Sequence, residues 1–317
     1  MQILLYPSHI SISKKKHFTG HSAGIFCLSE GPLPDTIISG SGDGIAAQWE
    51  LDGSDTAKGL AKIPGSIFSM YLDDSKELLF TGSLDGTVHL THLIKKEELH
   101  KFIPDGSPVY DLVLIAENQL AIACGSGKVF LWDIKRNAIS SSITISEKSI
   151  RNIAVSPHNN DLIFSSSDHD IYVYNKSTLT LKLILKGHQN SVFCSAFSAD
   201  ENFLISGSRD AQLLVWDVAN NYQLKTAIPA HMFTVNDIKM SPDGRLFASA
   251  GRDKHIKIWD SANFNLLKVI DHEKFGGHIN SVNKLFWSNH NNSLISCGDD
   301  RTVMVWEINI PDSTPEK

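Results

Sequence analysis

Histidine, serine and aspartate are the side chains of nucleophilic acyl transfer, where the imidazole takes the hydroxyl proton and the carboxylate orients the imidazole. In this sequence they recur at one fixed spacing. His188 is followed by Ser206 at +18, Asp210 at +22 and Trp216 at +28. His231, Ser249, Asp253 and Trp259 repeat the set, as do His278, Ser296, Asp300 and Trp306, and His21, Ser39, Asp43 and Trp49. A hydrolytic site is needed once, whereas this constellation occurs four times. A second chemistry fits the repetition better: imidazole, hydroxyl, carboxylate and indole can hydrogen-bond in series and so satisfy groups that are costly to bury alone. The expectation is therefore four structural tetrads and no catalytic residue, with about 1–3 kcal/mol at stake when a partner is lost.

The elements that must position these residues follow from the period. The tryptophan position falls at Trp49, Thr91, Trp132, Tyr174, Trp216, Trp259 and Trp306, in steps of 42, 41, 42, 42, 43 and 47 residues. Each unit reads as a loop carrying the histidine, a first strand, a second strand with the hydroxyl, a tight turn with the aspartate, and a third strand with the indole. On these GH-to-WD units and this period the sequence resembles the WD-repeat family of seven-bladed β-propellers, over nearly the whole chain. The resemblance implies an all-β fold of seven four-stranded antiparallel blades in a single domain, 1–317. The repeats would span about 17–50, 60–93, 103–134, 145–175, 187–218, 230–260 and 277–308, with a disordered tail at 311–317.

It also implies how the ring closes. HISISKKKH alternates apolar and polar residues before the first repeat, while the last repeat stops after its third strand. Ile10 to Lys16 is expected to complete the last blade, removing an open sheet edge. Met1 to Tyr6 could add a further short strand or be loose.

Three consecutive units depart from the pattern. The second keeps Thr81, Asp85 and Gly86 but has neither the histidine nor the tryptophan; the third has Ser126 in the aspartate position; the fourth keeps Asp168 and has Tyr174 for the indole. Packing alone is expected to hold their loops, making blades 2–4 the softer side of the ring. His89 and His92 form an HxxH pair, but on a strand they point to opposite faces, so no metal site is expected. Turn signals stand at Ser198–Glu201 and Ser241–Gly244. The longer approach DHEKFGGH should expose Asp271, His272 and Glu273 in a loop.

Composition narrows the partners. The chain has 317 residues, with 29 basic against 35 acidic ones for a net charge of -6, which gives no general pull toward nucleic acid or anionic lipid. Cys27, Cys124, Cys194 and Cys297 include no CxxC pair and read as small buried apolar groups. The N-terminal segment has its lysines after its apolar residues, the wrong order for a secretory signal, and no apolar run reaches membrane-spanning length. A soluble protein of the reducing cytoplasm, monomeric as a ring and without cofactor, is the expectation.

Function must then be sought on a face. The residue following the buried aliphatic of each first strand is Phe26, Phe68, Tyr110, Arg151, Phe193, Asn236 or Asn283. Side chains alternate along a strand, so these should point to the channel mouth on the loop-rich top. Aromatic and arginine residues dominate binding at interfaces. Leu84, Arg209 and Arg252 precede turn aspartates at the same rim, and the two arginines could receive an acidic or phosphorylated segment. The resemblance makes this top face the docking surface for a peptide or protein partner. The reading is a non-enzymatic interaction platform, with a constitutive subunit of a larger assembly as the alternative and a propeller enzyme as a distant third.

Overall fold

A computed structural model describes residues 10–73 and 75–310. The middle strands of the repeats are buried along nearly their whole length rather than on one face only. Leu213–Trp216 of the third strand in the fifth repeat is buried throughout, as is Leu204–Ser208 of the second. Such runs need cover on both faces, and the chain supplies it by stacking repeats against one another. The described residues form seven four-stranded antiparallel sheets. Their first strands are Ile25–Glu30, Ile67–Leu72, Val109–Ala116, Ile150–Val155, Val192–Phe197, Val235–Met240 and Val282–Trp287. Each packs against the next and the last packs against the first, which closes a ring with these strands innermost. Seven apolar clusters lie between adjacent sheets; one joins Ile256 and Ile258 of blade 6 to Leu285, Leu294 and Trp306 of blade 7. The fourth strands face solvent, as the largely exposed Gln223–Pro229 shows.

The seventh sheet is built from both ends of the described chain. Val282–Trp287, Leu294–Gly298 and Thr302–Asn309 are completed by the N-terminal strand Ser11–Thr19, paired from Ser11 opposite Asn309 to Thr19 opposite Thr302. The closing strand thus runs three residues past the expected Lys16, and Ile10 precedes it as a buried anchor. Phe18 is 1% exposed and stacks on Trp49 of blade 1 at 5.1 Å between centroids. The lysine run is solvated but engaged: Lys15 pairs with Glu307 and Lys16 with Asp55. The expectations for Met1–Tyr6 and for 311–317 lie outside the described residues.

Turn chemistry follows the sequence closely. Glu201 N–H donates to Ser198 O and Gly244 N–H to Ser241 O, closing the two turns read from their residue types. The approach to blade 7 forms one helical turn, His272–Phe275, capped by the Asp271 carboxylate accepting from Lys274 N–H at 2.7 Å. His272 and Glu273 are exposed, while that capping bond draws Asp271 half into the surface. All four cysteines are free and buried, and burial pushes the Cys27 and Cys124 thiols up to about 12. Among the described residues no helix is long and apolar enough to cross a membrane.

Candidate functional site

The four complete sets close as hydrogen-bonded series. In blade 6, His231 Nδ1 lies 2.9 Å from Asp253 Oδ1, its Nε2 lies 2.8 Å from Ser249 Oγ, and Trp259 Nε1–H donates to the same Oγ at 2.9 Å. Blades 1, 5 and 7 repeat this geometry through Ser39, Ser206 and Ser296. Because Trp259 donates to the serine oxygen, the serine hydroxyl proton is free to donate to Nε2, and the Nδ1–H donates to the carboxylate. Burial drives the His231 imidazole toward its neutral form, against the pull of Asp253. Burial also pushes Asp253 up, yet the imidazole N–H and the Met232 N–H outweigh it and hold the carboxyl down at about 2. The connectivity is that of a hydrolytic triad, but all four serine residues are 0% exposed and capped by indole. All four are closed off from solvent.

The incomplete blades correct one expectation. Packing alone does not hold the loops of blades 3 and 4. In blade 4, Ser146 takes the histidine's place in the loop and donates to Asp168 Oδ2, which also accepts from Tyr172 Oη at 2.7 Å. In blade 3 the roles are exchanged: loop residue Asp105 accepts from the turn hydroxyl of Ser126 at 2.5 Å. Loop-to-turn staples thus survive with other residues, a compensation no single position reveals. Blade 2 is the exception, with Pro64 in the loop; Thr81 Oγ1 and His89 Nε2 are buried there without a partner. His89 Nδ1 bonds Glu98 on the fourth strand, while His92 Nε2 lies 3.7 Å from Glu77 ahead of the second.

Trp132 of blade 3 offers a clean comparison. Its serine position is Ile122, so its indole N–H has no acceptor although the ring stacks on Phe102 at 3.7 Å. Trp259→Phe is expected to cost about 1–3 kcal/mol more than Trp132→Phe, because only the first leaves a buried serine oxygen short of a donor. Urea midpoints for the two variants read the difference directly; equal losses would show that the indole bond contributes nothing.

The seven residues singled out at the first strands share a feature that only the pairing reveals. In every blade the register between first and second strands slips at that residue, as between Ile25 and Cys27, Ile67 and Ser69, or Val192 and Cys194. Blades 3, 4, 6 and 7 slip likewise at Tyr110, Arg151, Asn236 and Asn283. Each is a β-bulge residue, unpaired in its ladder, and a bulge re-aims a side chain. Five of the seven form one stacked arc. Phe26 meets Phe68 at 4.7 Å, Phe68 meets Tyr110 at 6.1 Å, and the Arg151 guanidinium lies over Tyr110 at 4.1 Å and over Phe193 at 5.1 Å. Ser167 Oγ accepts from Arg151 Nε at 2.9 Å and fixes its plane. The other two serve the ring. Asn236 donates to Val282 O and Ser281 Oγ, and Asn283 to Ile25 O and Asp299 Oδ1, joining blade 6 to 7 and blade 7 to 1.

Below this arc runs a polar belt that the sequence did not disclose. Asp111 Oδ2 accepts from Ile153 N–H at 2.8 Å, Asn152 Oδ1 from Ser195 N–H at 2.8 Å, and Asp237 Oδ2 from Leu285 N–H at 2.9 Å. Each bond crosses to the next blade. Lys284 Nζ lies 3.2 Å from Asp237 Oδ1; burial pulls its pKa down, but Asp237 and Asp111 together raise it above the ordinary lysine value.

Comparison with known proteins agrees with this geometry. The family model "WD domain, G-beta repeat" matches residues 12–50, 179–217, 222–260 and 270–307, the four blades with complete tetrads. The chain belongs to the WD-repeat family. Similar curated proteins include THO complex subunit 6 homolog of Danio rerio, 29% identical over 133 residues, covering 38% of this chain and 40% of that protein. Denticleless protein homolog of Homo sapiens is 23% identical over 294 residues, covering 74% of this chain and 40% of its own length. Protein ROOT INITIATION DEFECTIVE 3 of Arabidopsis thaliana is 29% identical over 147 residues, covering 44% and 33%. The matches thus span two fifths or less of each of these relatives' own length.

The rim of this WD-repeat ring is fixed blade by blade. The residue before the turn aspartate donates its N–H to the carbonyl just ahead of the first strand: Leu84 to Ser66, Arg209 to Ser191, Arg252 to Thr234, Asp299 to Ser281. Leu84, Arg209 and Arg252 are all exposed there. The residue after the turn aspartate, or after Ser126 in blade 3, adopts positive φ in each of the seven turns. It is Gly44, Gly86 or Gly127 in three of them, but His169, Ala211, Lys254 and Arg301 in the others. A left-handed non-glycine residue costs roughly 1–2 kcal/mol. Sequence reading also missed the loops after two tetrad histidines, where Met232 is 76%, Phe233 57% and Ile279 54% exposed. The signal was available: apolar residues follow the histidine in a loop whose own bonds are all to backbone N–H.

Proposed function

We propose that this WD-repeat ring is a non-enzymatic interaction platform that holds a peptide or partner surface on its top face, around the channel mouth. The observation that carries the reading is the five-blade arc from Phe26 to Phe193. Its bulge positions leave the ladder, and its rings and guanidinium stack on one another without closing over. Large aromatic surface with a cation among it is the composition of interface hot spots, since such side chains bury area at low entropic cost. Leu84 extends the apolar surface at blade 2, and Arg209 and Arg252 border it at blades 5 and 6. Asn236 and Asn283 lie on the same path, and there they hold the blades rather than offer free donors.

Combining Phe68→Ala, Tyr110→Ala and Phe193→Ala is expected to weaken partner binding at least about tenfold while leaving the thermal transition cooperative. Quantitative pull-down from the native source, followed by titration of the recovered partner, measures it. Full recovery of every partner by the triple variant would sink the assignment. A constitutive place in a larger assembly is the second reading, favoured by the word "subunit" in the name of the Danio rerio relative. Gel filtration of the native protein separates the two: a single large species that survives dilution favours the assembly.

A further inference from the structure

The chain has six arginines, and their pairing divides them sharply. Arg136 pairs with Asp133 and Arg245 with Asp243. Arg209, Arg252 and Arg301, all exposed on the top turns of blades 5, 6 and 7, have no ion pair and no side-chain hydrogen bond among the described residues. The tetrad carboxylates next to them in sequence are already engaged. Asp210, Asp253 and Asp300 lie beneath the surface, their oxygens taken by an imidazole and by backbone N–H groups. Asp299, at the rim, accepts from Asn283. Three guanidinium forks, each with five donors in a plane, are therefore unfilled on three successive blades.

Between those forks stand the exposed apolar side chains of the loops. Met232 and Phe233 lie on the loop leading into blade 6, and Ile279 on the one leading into blade 7. Each loop is pinned by its first N–H: Met232 N donates to Asp253 at 3.0 Å and Ile279 N to Asp300 at 3.1 Å. The apolar side chains are thus held outward by the tetrads rather than by disorder. Arg301 keeps its place at φ 67, where glycine would be unstrained.

We propose that the top of blades 5 to 7 is a binding crescent for an anionic protein segment that also carries apolar side chains. Carboxylate or phosphate groups of the segment take the guanidinium forks as bidentate pairs, and intervening leucine-, methionine- or phenylalanine-type side chains cover Met232, Phe233 and Ile279. Net charge does not drive this, since the buried carboxylates balance the arginines; unfilled donors and exposed apolar area do. Nucleic acid is disfavoured because two of the three apolar side chains are aliphatic and give a base nothing to stack on. The proposal rests on top-face docking and adds the chemistry of the partner.

The test is selection of a displayed random peptide library, about 16 residues long, on immobilised full chain. Enriched peptides are expected to be net acidic with interspersed apolar residues. Their affinity should fall at least tenfold on Arg209→Glu combined with Arg252→Glu and Arg301→Glu. It should fall by a comparable factor on Met232→Ser combined with Ile279→Ser, which keeps every charge. Phosphoserine versions of the winning peptides decide which anion is preferred, and tighter binding of either kind supports the crescent. Neutral or basic winners, no enrichment, or equal binding to both variants overturns it, as does a single-stranded oligonucleotide that binds the native chain and not the glutamate variant. Winners that lose affinity only on the Phe68, Tyr110 and Phe193 triple variant would overturn the crescent and leave top-face docking standing.

Discussion

A chain shortened to begin at Gly20 is expected to lose its folded monomer and to aggregate. Among the described residues the removed strand, Ser11–Thr19, is the only partner of the outer edge of Thr302–Asn309, so its loss uncovers a ladder of unpaired backbone groups on a strand of eight residues. It also removes Phe18 from its stack on Trp49 and Ile10 from the cluster between blades 6 and 7. The closing strand ties the first described residues to the last within one sheet, adding a ladder to the contacts that blade 7 makes with blade 1 through Asn283 and the cluster around Ile25 and Val303. Phe18→Ala alone is expected to cost about 3–5 kcal/mol, the usual range for truncating a buried phenylalanine. Gel filtration and thermal melting of both forms measure these effects. A shortened chain that runs as a monomer and melts within a few degrees of the full one would show that the ring does not need its latch.

Acid is expected to unfold the ring through its tetrads. Burial raises the carboxyls of Asp43, Asp210, Asp253 and Asp300, but their imidazole and backbone donors win and hold all four below the ordinary value. A folded-state pKa below the unfolded one stabilises above the unfolded value and is lost as pH falls through the folded one. For Asp253, the fall from 3.8 to about 2 corresponds to about 2 kcal/mol, lost between roughly pH 5 and pH 2. His231 acts in the same sense from higher pH, because its folded value is depressed below 6.5 and protonation favours the unfolded chain. Asp253→Asn should therefore destabilise by about 2 kcal/mol at neutral pH and by progressively less below pH 4. Urea titrations of both proteins at pH 7, 5, 4 and 3 follow the difference. A gap that stays constant with pH would mean the carboxylate acts by shape and not by charge.

Much of the fold was legible because its signals are local. A histidine, a hydroxyl, an aspartate in a turn and an indole recur at fixed offsets, and each offset is set by strand length and turn type within one blade. That arithmetic gave seven units and the structural meaning of a triad-like set, while the closing strand followed from the alternation of HISISKKKH and the family resemblance. Partial sets were harder. Ser146 in place of a histidine and Asp105 trading roles with Ser126 preserve a bond while changing both residues, and a pattern written in residue types cannot register that exchange.

The equivalence of the candidate residues was legible, and their bonding was not. Counting from the buried aliphatics singled out seven equivalent residues, yet residue order could not say that all seven are bulges, or that five stack while Asn236 and Asn283 bind the neighbouring blade. Those outcomes depend on the distance between first strands of adjacent blades, which ring closure sets. The unpaired arginines likewise became visible only when the tetrad carboxylates next to them in sequence were found to be occupied.

The sequence by itself determined the repeat, the number of blades and the residues that make each tetrad, because those interactions lie within some thirty residues of one another. The tertiary structure decided which side chains are left over once the blades have bonded to each other: five on the arc, three guanidinium forks, and three apolar side chains on the rim. The reason is physical. Satisfaction of a polar group or cover for an apolar one is a property of everything within a few ångströms, and in a closed ring those neighbours come from repeats about 40 residues apart, or from opposite ends of the chain.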